Sequence, residues 1–208
     1  MIRTLGTLLV CALLLSGCAT MNKNECRNAD WDMIGYEDAS RGHAVARIGQ
    51  HRKACAKVDV TPDMAAYERG HERGARVYCT RERGYREGVN GAAYQGICPA
   101  DLAPTFTRAH KDGMELYQLR QRISATASAL AGYRETIARL QSDISAAEKS
   151  IVDSSSTSIS RREKLLEIKE MQQQITELEV FSVGADQELL MLEQDQQAIL
   201  RQHQEWGY

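Results

Sequence analysis

The sequence predicts an all-α protein: a small disulfide-tied helical domain followed by a long antiparallel coiled-coil helical hairpin. Three observations predict it. Apolar residues recur every seven positions from Leu116 to Ile151, and a second such run follows a polar break. Four cysteines, Cys26, Cys55, Cys79 and Cys98, punctuate the first half at spacings of 29, 24 and 19. Helix-start signals recur between Asn28 and Pro104, and no alternating apolar run suggests a strand.

The chain has 208 residues and a formal net charge of -2, so nothing in its charge calls for nucleic acid. Residues 26–122 carry 16 basic and 13 acidic side chains, whereas 123–208 carry 8 and 14. This change of sign supports a boundary between halves. The reading divides the chain into a signal peptide over 1–17, a lipidated tether over 18–25, a disulfide-tied domain over 26–113 and a hairpin over 114–208.

The start of the chain has Arg3 and then the apolar run Leu5–Leu15. That run is too short for a permanent span, which needs about 20 apolar residues, and it has the form of a secretory signal. Leu15-Ser16-Gly17-Cys18 resembles the lipobox of bacterial lipoproteins. The resemblance implies cleavage after Gly17 and lipid on the Cys18 thiol, with small residues giving the peptidase access. Ala19 and Thr20 follow rather than an inner-membrane-retaining Asp. The implied location is therefore the periplasmic face of the outer membrane, held through lipid on Cys18.

Polar 19–25 reads as tether. Asn28 or Asp30 can cap a first helix carrying Trp31, Ile34 and Tyr36, which Gly42 ends in the left-handed region. A second helix is expected over 44–57. Thr61-Pro62-Asp63 reads as a hydroxyl cap, a proline in the first helical position and an acid in the first turn, opening a helix to Cys79. Gly84, Gly88, Gly91 and Gly96 make 80–99 a short helix or a set of turns. Asp101 and Pro104 open the long helix.

In an oxidising compartment the four cysteines form two disulfides. Cys26–Cys55 with Cys79–Cys98 closes two local loops. Cys26–Cys79 with Cys55–Cys98 is the alternative, since helix ends alternate in an up-down bundle. A metal site is disfavoured, because no C-x-x-C pair occurs and the histidines lie apart.

An aromatic residue with a small residue three positions on recurs at Tyr36-x-x-Ala39, Tyr67-x-x-Gly70, Tyr85-x-x-Gly88 and Phe106-x-x-Ala109. Both members lie on one helix face. Close helix packing is the simpler reading. The sharper one is a ligand cleft for cell-wall glycan or peptide, lined by Trp31, Tyr36, Tyr67, Tyr85 and Tyr94.

The set Trp31-x-x-x-Gly35-Tyr36-x-Asp38, Cys55, Tyr67-x-x-Gly70-x-x-x-Gly74, Tyr78-Cys79-Thr80, Gly84-Tyr85-x-x-Gly88 and Tyr94-x-Gly96-x-Cys98-Pro99 resembles an uncharacterised family of bacterial lipoproteins. That family is catalogued only as a domain of unknown function. The resemblance covers roughly Cys18 to Tyr117, with Ala39 where its pattern has Gly. It implies no activity and no catalytic residues.

In the second half, Leu116, Ile123, Leu130, Ile137, Ile144 and Ile151 form one seam with Leu119, Thr126, Tyr133, Leu140 and Ala147. Residues 152–160 are Ser-rich, Ser160-x-x-Glu163 reads as a capping box, and a second seam runs from Ile168 to Ile199. Antiparallel pairing makes the numbers of facing residues sum to about 315. That register sets Tyr133 against Ser182 beside Gly184. The hairpin is the expected surface for an envelope protein partner or for self-association.

Catalytic chemistry finds no constellation. His71-Glu72 lacks the second histidine of a zinc protease. His43, His51, His71, His110 and His203 read as surface or packing residues. No cofactor, metal or enzyme activity is expected. The reading is a non-enzymatic outer-membrane lipoprotein acting through its hairpin.

Overall fold

The structure, a computed structural model, describes residues 21–208. The segment 1–17, Cys18 and the start of the tether lie outside the described residues. The described chain is all-α, with seven α-helices, two short 3-10 turns and no strand.

The first helix was not expected. α1 (Lys23–Arg27) lies where the polar tether was placed. Asn22 accepts from the amides of Asn24 and Glu25, and the Glu25 carboxylate accepts from the Asn22 amide at 2.7 Å. This reciprocal capping box satisfies donors that a five-residue helix would otherwise leave open. Asp30 then caps α2 (Trp31–Ser40). Gly42, at φ 89°, closes it, and the Tyr78 ring fills the space a side chain there would need.

The helix expected over 44–57 is three pieces: a 3-10 turn Val45–Arg47, α3 (Ile48–Cys55) and a 3-10 turn Ala56–Val58. α4 (Met64–Tyr78) starts two residues later than the Thr61-Pro62 signal suggests. Asp63 is its cap, accepting from the Ala66 amide at 3.0 Å. The carboxylate two places on competes successfully for the orphan amides. α5 (Arg81–Val89) begins where Thr80 Oγ1 accepts from the Arg83 amide. α6 is Ala103–Val152 and α7 is Ser158–Glu205.

Two compact units result. One comprises 21–87 with Ala92–Lys111; the other comprises Gly88–Gly91 with Asp112–Tyr208.

In the first unit α2 packs along α4 through reciprocal glycines. A Cβ at Gly35 would strike the Tyr67 carbonyl, one at Gly70 the Asp32 carbonyl, and one at Gly74 the Tyr36 carbonyl. The small residues of the recurring pattern thus serve backbone approach. Cys26, Trp31, Ile48, Cys55 and Tyr67 form one apolar cluster. Ala39, Ala75, Tyr78, Cys79 and Phe106 form a second, with Tyr94 and Phe106 ring centroids 4.9 Å apart. Each cluster contains one disulfide, Cys26–Cys55 and Cys79–Cys98, the local pairing. Their Cα separations of 5.3 and 5.6 Å lie inside the range a bridge requires.

The second unit is the antiparallel hairpin. Every seam position named from the heptads is buried or half-buried, and nearly all their neighbours are exposed. Tyr133 meets Phe181 with ring centroids 6.0 Å apart, while Arg122 reaches Glu188 and Arg134 reaches Asp186. These pairs bracket the expected register. Two local expectations fail. Thr157, not Ser160, caps α7, accepting from the Ser160 amide at 3.2 Å. Gly184 makes no room for Tyr133, because a Cβ there would meet nothing within 4 Å. At the far end the chain turns back at Gly207, and the Tyr208 hydroxyl donates to Asp112 at 2.6 Å.

Gly132 and Gly184 both sit mid-helix with open space around the missing Cβ. Gly132→Ala and Gly184→Ala should each stabilise the hairpin by about 0.5–1 kcal/mol, since alanine restricts the unfolded chain and clashes with nothing. Thermal unfolding followed by far-UV circular dichroism checks this, and a lowered midpoint for either would contradict it.

Candidate functional site

The first unit holds a polar knot inside its core. The Gly35-Tyr36-x-Asp38 motif puts Asp38 on the α2 face toward α4, where it is 4% exposed. Its Oδ1 accepts from Arg47 Nε at 2.9 Å. Its Oδ2 accepts from His51 Nε2 at 2.7 Å and from the Tyr67 hydroxyl at 2.8 Å. Three donors from three separate segments therefore converge on one carboxylate.

Burial by itself pushes the Asp38 carboxyl up. The hydrogen bonds from His51 and Tyr67, with the positive charge of Arg47, outweigh it and hold the group below the usual carboxylate range. Tyr67 is driven the other way. Burial, and then its bond to the ionised Asp38, raise its hydroxyl far above the ordinary tyrosine value, so it stays a donor. The groups of the knot are bonded to one another, which is a positioning arrangement: it pins the Val45–Cys55 segment to the α2–α4 pair.

A groove of about 650 Å³ runs beside the knot, lined by Met21, Met33, Ile34, Asp38, Arg47 and His51 among others. A second hollow includes Glu68, His71 and Glu72 on α4. His71 Nε2 is already committed, donating to the His43 carbonyl at 2.7 Å. Among the described residues no group of three or more His, Cys, Asp or Glu could hold a metal ion.

The five aromatics proposed to line a cleft do not share a surface. Trp31 and Tyr67 are buried in the first cluster. Tyr94 packs against the second and accepts from the Cys98 amide with its hydroxyl. Tyr36 and Tyr85 are half-buried on α2 and α5. The two clusters, rather than a cleft, absorb most of these rings.

The sequence reads His51 and His71 only as surface or packing residues and does not connect them to Asp38 or to the His43 carbonyl. The available signal was Asp38 itself, a charged residue three positions past Gly35 and one before Ala39, on the apolar face of α2.

The second unit presents a different surface. α6 exposes one large apolar side chain, Val152, at the turn. α7 exposes eight, from Ile159 to Met191, each 57–71% accessible. Its inner seam is already covered by α6; Phe181 flanks that seam and meets Tyr133, while the others, Val180, Val183, Leu190 and Met191 among them, lie outside it.

Residues 30–115 match the family model described as a protein of unknown function (DUF2799). This shows the resemblance carried by the motifs of the first half, and the match stops short of almost all of the hairpin. No curated protein and no solved structure matches the chain.

Proposed function

We propose that this is a non-enzymatic lipoprotein of the bacterial outer membrane, held on its periplasmic side by lipid on Cys18. Its coiled-coil hairpin serves as a module for binding another envelope protein. What supports the reading is the outward stripe on α7. Setting aside Phe181, which meets Tyr133, a hairpin needing only to pair with itself has no use for seven exposed large apolar residues on one arm when the other exposes one. Within the second unit the arms, Asp112–Val152 and Ser158–Glu205, are about 60 and 72 Å long at about 1.5 Å per residue, which gives the stripe reach. The disulfide-tied unit is held by its own glycine-tight helix pair, two disulfides and polar knot.

The membrane attachment rests on the lipobox and is tested there. Cys18→Ser should remove the protein from the outer-membrane fraction, as soluble or unprocessed chain. Membrane fractionation with metabolic labelling by palmitate checks it, and a Cys18→Ser protein that fractionates like wild type defeats the anchor. The module is tested by placing a photo-crosslinking amino acid at exposed hairpin positions in living cells. Discrete adducts are expected, and their absence from every hairpin position defeats the reading.

A further inference from the structure

We infer that the outward face of α7 is a second heptad seam that docks a basic amphipathic helix of a partner protein. The inference rests on the hairpin reading above and adds the chemistry of what binds.

The geometry comes first. Val180 and Val183, then Gln187 and Leu190, then Gln194 and Gln197 repeat at alternating spacings of three and four. That is the spacing of a coiled-coil seam, displaced around the helix from the one that faces α6. Val180, Val183, Leu190 and the adjoining Met191 are 58–66% exposed. Gly184 beside them leaves open space where a neighbouring helix could lie close. A shallow depression lined by Leu190, Gln194 and Gln197 continues the face toward Arg201.

Charge then selects the occupant. Positions flanking such a seam set partner choice through opposite charges. Here the flank of Glu179, Asp186 and Glu193 is acidic along the seam, while the other carries Glu170 and Glu177 ahead of Val180 and then Gly184, Met191 and Ala198. Asp186 is already bridged to Arg134 of α6 at 2.9 Å. Between Lys169 and Arg201 the helix has seven acidic residues and no Lys, Arg or His. A second copy would bring one helix stretch of seven acids and no Lys, Arg or His against another. An anionic lipid surface would be repelled in the same way. A helix with apolar residues at seam spacing and Lys or Arg beside them meets both the stripe and the field.

The test uses the intact protein and two synthetic 28-residue helical peptides, identical in an Ile/Leu seam and flanked either by Lys or by Glu. Fluorescence anisotropy at low salt should show the Lys-flanked peptide binding about a hundredfold more tightly, with the preference shrinking as salt screens the flanks. Val183→Ser with Leu190→Ser should weaken it about tenfold or more, through lost apolar contact. Ala129→Ser, on the exposed face of α6, should change nothing. Both serine variants replace exposed residues, and far-UV circular dichroism checks that the hairpin is retained.

No binding of the Lys-flanked peptide overturns the inference, as does equal binding of both peptides or indifference to the Val183/Leu190 pair. Sedimentation showing self-association that the Val183/Leu190 pair abolishes assigns the face to a second copy instead. Binding to vesicles containing phosphatidylglycerol that the same pair abolishes assigns it to lipid. Cellular crosslinks that persist from other hairpin positions while none arise at Val183 or Leu190 overturn this face alone, leaving the hairpin as a binding module.

Discussion

Asp38→Ala is expected to cost the disulfide-tied unit about 3–5 kcal/mol, the range for breaking a buried ionic network by removing one partner. The substitution deletes the carboxylate that accepts from three donors: Arg47 Nε, His51 Nε2 and the Tyr67 hydroxyl. His51 is 4% exposed and Tyr67 fully buried, so water cannot readily replace the lost oxygens. Asp38→Asn preserves the shape but not the charge, and should cost less than alanine while still destabilising. The same carboxylate sets a pH dependence. Its pKa is lower in the folded than in the unfolded chain. It therefore stabilises above the unfolded value, near 3.8, and that contribution is lost as pH falls through the lower folded value. Denaturant unfolding of wild type should show stability falling below about pH 4, with a shallower acid-side slope in Asp38→Asn. Parallel profiles for the two proteins would contradict the assignment.

Gly70→Ala is expected to destabilise the same unit by about 3 kcal/mol, at the upper end of ordinary overpacking costs. The new methyl would be driven into the Asp32 carbonyl, with the Tyr36 amide close behind at 3.0 Å. Both atoms are helix backbone, so relief requires moving α2 away from α4, which loosens the Trp31–Tyr67 cluster. The contrast with Gly184→Ala isolates the cause. Glycine is replaced by alanine inside a helix in both cases, and intrinsic propensity favours alanine in both. Only the neighbouring carbonyl differs. Thermal melts of the two variants should move in opposite directions; a stabilised Gly70→Ala would remove the close-approach account of this interface.

Much of the architecture was legible along the chain because it follows from local periods. The heptads of 116–151 and 168–199 need no distant information to define two arms, and a short polar break makes them antiparallel neighbours. The disulfide pairing was legible for a related reason: sequence separations of 29 and 19 close with little loop entropy. Helix starts were less secure. Asp63 displaced Thr61, and Thr157 displaced Ser160. Several capable caps stood within a few residues of each other, and propensity does not rank them once backbone direction is set by packing. The capping box at Asn22 and Glu25 is written in the sequence, but a polar five-residue helix has no apolar period to announce it.

By itself the sequence determined the helical class, the two arms and their register, and the small residues that let helices approach. These depend on spacing, which the chain carries one residue after another. Only the tertiary structure decided that Asp38 meets His51 and Tyr67, thirteen and twenty-nine positions away. Only the structure, likewise, put Trp31 and Tyr67 inside the core instead of on a cleft. It also separated the apolar residues of α7 into a covered seam and an exposed one. Both stripes have the same heptad period, and a period does not say which face a neighbouring helix will cover.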